Sequence, residues 1–376
     1  MERKKKIVLI GPVYPYKGGI SHYTGLMYHQ LDSKHNVIMI SYKMQYPKFM
    51  FHKEQKDYEN DSFKVENTQY MLHTANPFNI VKTAKYIKKI RPDMVIIQWW
   101  HPYFAPCYWM LTRLYGNLKT VYVCHNVFPH ERFPLDRFLT GLTLKTGKGF
   151  IVHAKEEKVQ LNSVLNAEVL NEIAVAPHPT YNIFQHEYLS KIQARERLLL
   201  PQDSRILLFF GFVREYKGLK YLLNAMPELK ETKLMVVGDF DGDKEIYTEL
   251  VEKLGIGERV IIVDGYIPDK EVEKYFAACD IVILPYISAT QSGIVQIAYG
   301  FYKPVIVTNV GGLPEVVKNG ETGYVVESGN SHAIAQAVKR YFEEDREQEF
   351  KKNIEQEAYR FSWERMGEVV DDFFDS

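Results

Sequence analysis

The sequence lacks the usual marks of several protein classes. It has three cysteines in 376 residues, Cys107, Cys124 and Cys279, with no metal-ligand spacing, and two of them abut apolar runs that read as strands. A disulfide framework is therefore excluded, and packed, reduced thiols in a cytosolic protein are expected. Net charge is missing as well: 47 Lys plus Arg balance 47 Asp plus Glu, which leaves no broad basic face for a nucleic acid. Long apolar runs are also absent. The run Ile7 to Ile10 is too short for the core of a signal peptide and is followed by Pro12 and Pro15. The most aromatic stretch, Met94 to Leu114, is broken by Gln98, His101, Pro102, Pro106 and Arg113, which defeats a spanning helix of roughly 20 apolar residues.

What is present is an alternation of elements over a length that exceeds one core of about 100 to 200 residues, so two domains are expected. Strand-like runs occur at Ile7 to Ile10, Val37 to Ile40, Met94 to Trp99, Thr120 to Cys124, Phe150 to Val152 and Ile173 to Ala176. A second series follows at Ile206 to Phe210, Leu234 to Val237, Val260 to Val263, Ile281 to Leu284 and Val305 to Val307. Helical or irregular segments separate them. This is the pattern of α/β domains with parallel sheets covered on both faces, whose right-handed crossovers bring the carboxyl ends of the strands to one edge. Asp269 and Ser331 are placed to cap helices that present Val272, Phe276 and Cys279, and Ile334, Val338 and Tyr341, to the core. The two prolines of Ala176-Pro-His-Pro-Thr-Tyr-Asn182 read as a hinge linker, which puts a boundary near residue 180. Residues Tyr46 to Asn67 carry many charges and little periodicity, and read as a surface excursion of the first domain.

Several segments combine a strand end with groups suited to an anion. In Asp280 to Val326 the order is strand, loop, helix, strand, turn and short strand, and the helix opens at Ser292-Gly293. Its free N–H groups and positive dipole end favour a phosphate or diphosphate. The first strand leads into Gly18-Gly19 before another helix, where the backbone can approach a ligand closely. In FFGFVREYKGLKYLLNAM, Gly211 ends a strand and Arg214 and Lys217 lie in the loop beyond it, where a planar fork and a point charge can clamp a diphosphate in place of a metal. His125 follows the strand TVYVC at the crevice edge, with His101, His130 and His153 near other strand ends. The loop Asp264-Gly-Tyr266-Ile267 follows another strand end.

These segments resemble the retaining glycosyltransferases of the GT-B fold, the family-four group or glycosyl transferases group 1. The resemblance covers essentially the whole chain and is strongest from about residue 205 to 327. It implies two Rossmann-like domains, 1–180 on the acceptor side and 181–360 binding the nucleotide-sugar across a central cleft. A helix over 361–376, opened by Phe361-Ser-Trp-Glu364, would cross back to the first domain. It further implies that His125 contacts the transferred sugar, that Arg214 and Lys217 hold the diphosphate, that Gly18 and Gly19 form the N-terminal glycine loop, and that Tyr266 and Ile267 lie at the base. Gly311-Gly312-Leu-Pro-Glu315 and Asn319-Gly-Glu-Thr-Gly323 match family turns with a structural task.

The sequence departs from the family at two places. The position directly after the strand glycine, usually Arg, is Phe212. The two glutamates usually spaced by seven residues align with Thr290 and Ala298, or with Ala289 and Ile297. The nearest polar groups are Gln291 and Gln296, which can exchange hydrogen bonds with sugar or ribose hydroxyls but carry no charge. The implied function is transfer of a sugar with retention, from a nucleoside diphosphate sugar to a glycan or lipid-linked acceptor, in cell-surface polysaccharide synthesis. No cofactor and no metal are expected. The missing carboxylates keep two alternatives open: a catalytically silent nucleotide-sugar-binding subunit, and a sugar-nucleotide epimerase of the same fold. The expected location is the cytoplasm, at the inner face of the membrane. There Trp99, Trp100, Tyr103, Phe104, Tyr108 and Trp109 with Lys82, Lys85, Lys88, Lys89 and Arg91 suit an anionic interface, as they also suit a buried core beside a solvated helix face.

Overall fold

The computed structural model describes residues 3–47, 54–58, 64–129, 132–165, 172–240 and 242–375. The chain divides into two units, Met1–Pro177 with Ser362–Ser376, and His178–Phe361. Parts of the Tyr46 to Asn67 excursion, and His130, lie outside the described residues.

The first unit is built on seven parallel strands: β1 (Lys6–Ile10), β2 (Asn36–Met44), β3 (Gln69–His73), β4 (Met94–Trp99), β5 (Thr120–Cys124), β6 (Gly149–Val152) and β7 (Glu172–Val175). Their order across the sheet is β3-β2-β1-β4-β5-β6-β7. Strands β4 and β5 are buried along their whole length, which is why they read as unbroken apolar runs instead of alternating ones. Strand β3 went unrecognised in the sequence because QYMLH is a partly exposed edge strand with a weak apolar signal. Two core layers cover the sheet. One packs Tyr23, Met27 and Leu31 of the Gly19–Lys34 helix with Met366, Val369, Val370 and Phe373 of the Trp363–Asp375 helix. The C-terminal helix is thus an integral part of the first unit's core. The other layer holds Trp99, Phe104 and Tyr108.

The second unit has six parallel strands: β8 (Arg205–Phe210), β9 (Thr232–Gly238), β10 (Val260–Asp264), β11 (Ile281–Leu284), β12 (Val305–Thr308) and β13 (Gly323–Val326). Their order is β10-β9-β8-β11-β12-β13. The predicted core faces are buried, but both predicted caps move. Pro268 precedes the Asp269–Ala278 helix, so Asp269 is its first residue. Asn330, whose side chain accepts from the Ala333 N–H at 2.9 Å, caps the Ser331–Glu343 helix in place of Ser331.

At the base of β11 the buried carboxylate of Asp280 accepts from Nη2 of Arg195, which stands 3.0 Å from both of its oxygens, from the Lys191 ammonium at 2.6 Å and from the Ile206 N–H at 2.6 Å. This joins the start of β8 to the start of β11. Removing the charge leaves Arg195 buried without its counter-ion, and breaking a buried pair costs about 3–5 kcal/mol. Asp280→Asn should therefore lower unfolding stability by that order in urea titration. Stability near that of the wild type would mean that the network is dispensable.

Candidate active site

In open parallel sheets ligands bind beyond the carboxyl ends of the strands, at the point where strand order reverses. In the second unit that point lies between β8 and β11, and the loops that leave these two strands carry Arg214, Lys217, Gln291 and Ser292.

Beyond β8 the chain turns at Gly211 and enters a short 3-10 turn, Glu215–Lys217. Gly218 follows with φ of +67°, and a Cβ there would overlap the Pro285 carbonyl oxygen, so only glycine fits. This close approach of the β8 loop to the β11 loop brings Lys217 inward. Its ammonium lies 3.3 Å from where a Cβ on Gly211 would stand and 5.6 Å from the centroid of the Tyr286 ring. Lys217 is half-buried, and its ammonium makes no ion pair or hydrogen bond among the described residues. Burial, and then the positive charge of Arg214, push its pKa down to about 8. Arg214 itself is exposed and immediately precedes the 3-10 turn.

Beyond β11, Pro285 and Tyr286 lead to Ser292, which caps the Gly293–Gly300 helix by accepting from the Ile294 N–H at 3.2 Å. The Tyr286 hydroxyl stands 3.3 Å from Ser292 Oγ. Gln291 is half-buried in the loop. Gln296 is 1% exposed, and its Oε1 finds no hydrogen-bond donor among the described residues. Tyr181 packs on this helix, 3.7 Å from a Cβ position on Gly293, and shares a 3.2 Å hydrogen bond with His178. After β10, Gly265 donates to the Gly238 carbonyl at 3.1 Å, followed by Tyr266, 38% exposed, and the half-buried Ile267.

An acidic run also follows a strand end here, Asp239-Phe240-Asp241 after β9. It offers the Asp-x-Asp pattern that the expectation of metal independence overlooked. Asp241 lies outside the described residues, and among the described residues no three His, Cys, Asp or Glu side chains group to hold a metal ion.

In the first unit the strand order reverses between β1 and β4. Gly18, with φ of +103°, and Gly19 open the Gly19–Lys34 helix, and neither meets any atom where a Cβ would be. Tyr23 of that helix lies edge-on to the His125 ring at 4.6 Å. His125 is 5% exposed, and its Nε2 stands 2.7 Å from Gln98 Oε1. Gln98 was read only as a break in the aromatic stretch, although a lone amide in the strand MVIIQW is the signal of a polar task. His153, 5.6 Å from His125, is buried against the Ala176 carbonyl at 2.9 Å. Of the two readings the aromatic stretch allowed, the buried core is the one found: Trp99, Phe104 and Tyr108 are fully buried in the core, Trp100 and Tyr103 pack against it, and Trp109 alone of the six is exposed, at 37%.

Fold and edge together define a class. Residues 190–361 match the family described as glycosyl transferases group 1, and both sheets have the arrangement of GT-B glycosyltransferases. The second unit is a glycosyl transferases group 1 domain within a GT-B fold. Among relatives, D-inositol 3-phosphate glycosyltransferase of Corynebacterium diphtheriae is 26% identical over 235 residues, 60% of this chain and 55% of that protein. The chain spans about half the length of the curated relatives it matches. Sucrose-phosphate synthase of Thermosynechococcus elongatus superposes with a TM-score of 0.74 at 19% identity, covering 99% of this chain and 98% of that one. HepE of Anabaena, in complex with UDP-glucose, gives 0.75 at 16% identity, covering 99% of both.

Burial holds the His153 pKa down to about 4, against the hydrogen bond to Ala176. Above pH 6.5 neither the folded nor the unfolded protein protonates it, whereas between 6.5 and 4 only the unfolded chain binds the proton. Stability should fall through that window by on the order of 3 kcal/mol from this group. A His153→Gln protein should lose that part of the slope in denaturation curves recorded from pH 7 to 4; an unchanged slope would contradict a neutral, buried imidazole.

Proposed function

We propose that the protein is a retaining glycosyltransferase that moves a sugar from a nucleoside diphosphate sugar to a glycan or lipid-linked acceptor of cell-surface polysaccharide synthesis. The observation that carries this reading is Lys217: a half-buried ammonium without a carboxylate partner among the described residues, at the switch point of a glycosyl transferases group 1 domain, beside the start of the Gly293–Gly300 helix. Holding a cation there is unfavourable in the free protein, as its lowered pKa records, and a diphosphate would relieve that cost. As the bond from sugar to diphosphate breaks, negative charge grows on the leaving oxygen. A cation and helix N–H groups already aimed at that charge lower the barrier without reorganising. The acceptor hydroxyl approaches on the face the leaving group vacates, and a phosphate oxygen takes its proton, so the configuration is retained without a protein base. Arg214 joins the clamp from the exposed end of the loop. Tyr266 and Ile267 receive the base, Gly18 and Gly19 admit the donor closely, His125 contacts the sugar, and Gln291 and Gln296 serve its hydroxyls. HepE, crystallised with UDP-glucose, supports a nucleotide-sugar donor for this fold.

We also propose attachment to an anionic membrane through the Pro77–Ile90 helix. Phe78, 87% exposed, shares one face with Lys82, Lys85 and Lys89 at helical spacing, and Trp109 and Leu114 are exposed on the Ala105–Tyr115 helix packed against it. Each Lys near such a surface contributes about 1 kcal/mol. Among the described residues no helix is long and apolar enough to cross a membrane. The protein should float with anionic liposomes at low salt and be released by high salt; protein left at the bottom at low salt would exclude this surface.

Product analysis with UDP, GDP and ADP sugars tests the catalytic reading, since only a transferase makes a new acceptor-linked sugar. Lys217→Ala should lower turnover about a hundredfold. Because the ammonium is the working form, kcat/KM should fall as pH rises through about 8. Metal independence predicts that EDTA leaves the rate unchanged. Full loss with EDTA and rescue by magnesium or manganese would instead assign a task to the Asp239-Phe240-Asp241 run. Donor binding without any product would establish the silent binding subunit.

A further inference from the structure

Tyr286 touches both halves of the diphosphate site and has no role in the reading above, on which the following rests. Its side chain is 3% exposed. Its carbonyl accepts from the hydroxyls of Thr308 and Ser328, at the ends of β12 and β13, and the next N–H, from Ile287, donates to Tyr216 at 2.7 Å. The main chain is therefore tied on both sides before the ring makes any contact. The ring then lies 5.6 Å below the Lys217 ammonium, and its hydroxyl stands 3.3 Å from Ser292 Oγ at the helix start.

We propose that Tyr286 is a positioning residue whose ring face holds the Lys217 ammonium over Gly211 while its hydroxyl holds Ser292, setting the spacing of the two groups that receive the donor diphosphate. An aromatic face suits this task better than a carboxylate. It attracts the cation through its quadrupole but takes none of the three N–H donors fully. A carboxylate at the same place would neutralise Lys217 and compete with the incoming anion. The phenol also links two loops that the chain separates by about 70 residues, so a shift in either one is felt by the other.

The test is calorimetric titration with UDP, GDP and ADP of the wild-type, Tyr286→Phe, Tyr286→Leu, Lys217→Ala and Tyr286→Leu/Lys217→Ala proteins. Tyr286→Leu should weaken the bound nucleotide by roughly tenfold or more, and Tyr286→Phe, which keeps the ring, should recover most of that loss. In the Lys217→Ala background the leucine substitution should cost less than about twofold, because the group it positions is gone. Equal losses in both backgrounds, or wild-type affinity in Tyr286→Leu, would overturn the proposal. A merely structural tyrosine predicts the first of these. Thermal melts identify any variant that has lost its fold, and Tyr286→Met then replaces leucine. If the wild-type protein binds none of the three nucleotides, the donor reading itself fails, a result visible before any variant is made.

Discussion

A carboxylate buried at the foot of a parallel strand governs what can be arranged at its head. Asp280 gathers Arg195, Lys191 and the Ile206 N–H, and its own N–H donates to the Ile206 carbonyl at 2.8 Å. The Tyr341 hydroxyl donates to its carbonyl at 3.1 Å. A parallel sheet has no tight turn to set register, so two strands such as β8 and β11, about 70 residues apart in the chain, must be aligned by side chains and packing. An ion pair that costs much to bury tolerates one alignment and penalises every other. With β8 and β11 aligned at their starts, their ends bring Gly218 against Pro285 and Lys217 over Tyr286.

The strand ends of the two units are arranged by different physics. In the second unit, charge is held ready: a lysine in a poor environment for its proton, a helix start capped by Ser292, and an exposed arginine nearby. In the first unit, polar side chains are held still. His125 is pinned between Tyr23 and Gln98, a contact that selects one ring orientation and one tautomer. The imidazole is thus oriented before any ligand arrives, and the entropy of ordering it is already spent.

The departures from the family pattern bear on how the donor is held more than on how its charge is met. The positions that align with the family's two glutamates are Thr290 and Ala298, or Ala289 and Ile297, and neither pair carries a carboxylate. Gln296 is too deeply buried to act as a surface substitute, with Oε1 lacking a donor among the described residues. Such a group costs about 1–3 kcal/mol while it stays unpaired, so it marks a place where a ligand hydroxyl or a change in the loop would be stabilising.

Local patterns were enough to read much of the molecule. Fully buried strands such as Met94–Trp99, Thr120–Cys124 and Ile281–Leu284 appear as apolar runs bounded by polar or turn residues, and Ser292-Gly293 announces a helix start by its own chemistry. Edge strand β3 and the caps at Pro268 and Asn330 were not legible, because weak apolar signals and one-residue shifts are settled by what packs beside them. For Phe104 and Tyr108 two readings stayed open until their packing was seen, since an aromatic run reads the same whether it faces lipid or a core. The sequence by itself determined the layered α/β class, the strand ends and the residue types available there, since periodicity and turn chemistry act over a few neighbours. Only the tertiary structure decided that Lys217 meets an aromatic ring and that Gln98 orients His125. Those contacts join segments far apart in the chain, and they exist only once the sheets have fixed the register of their strands.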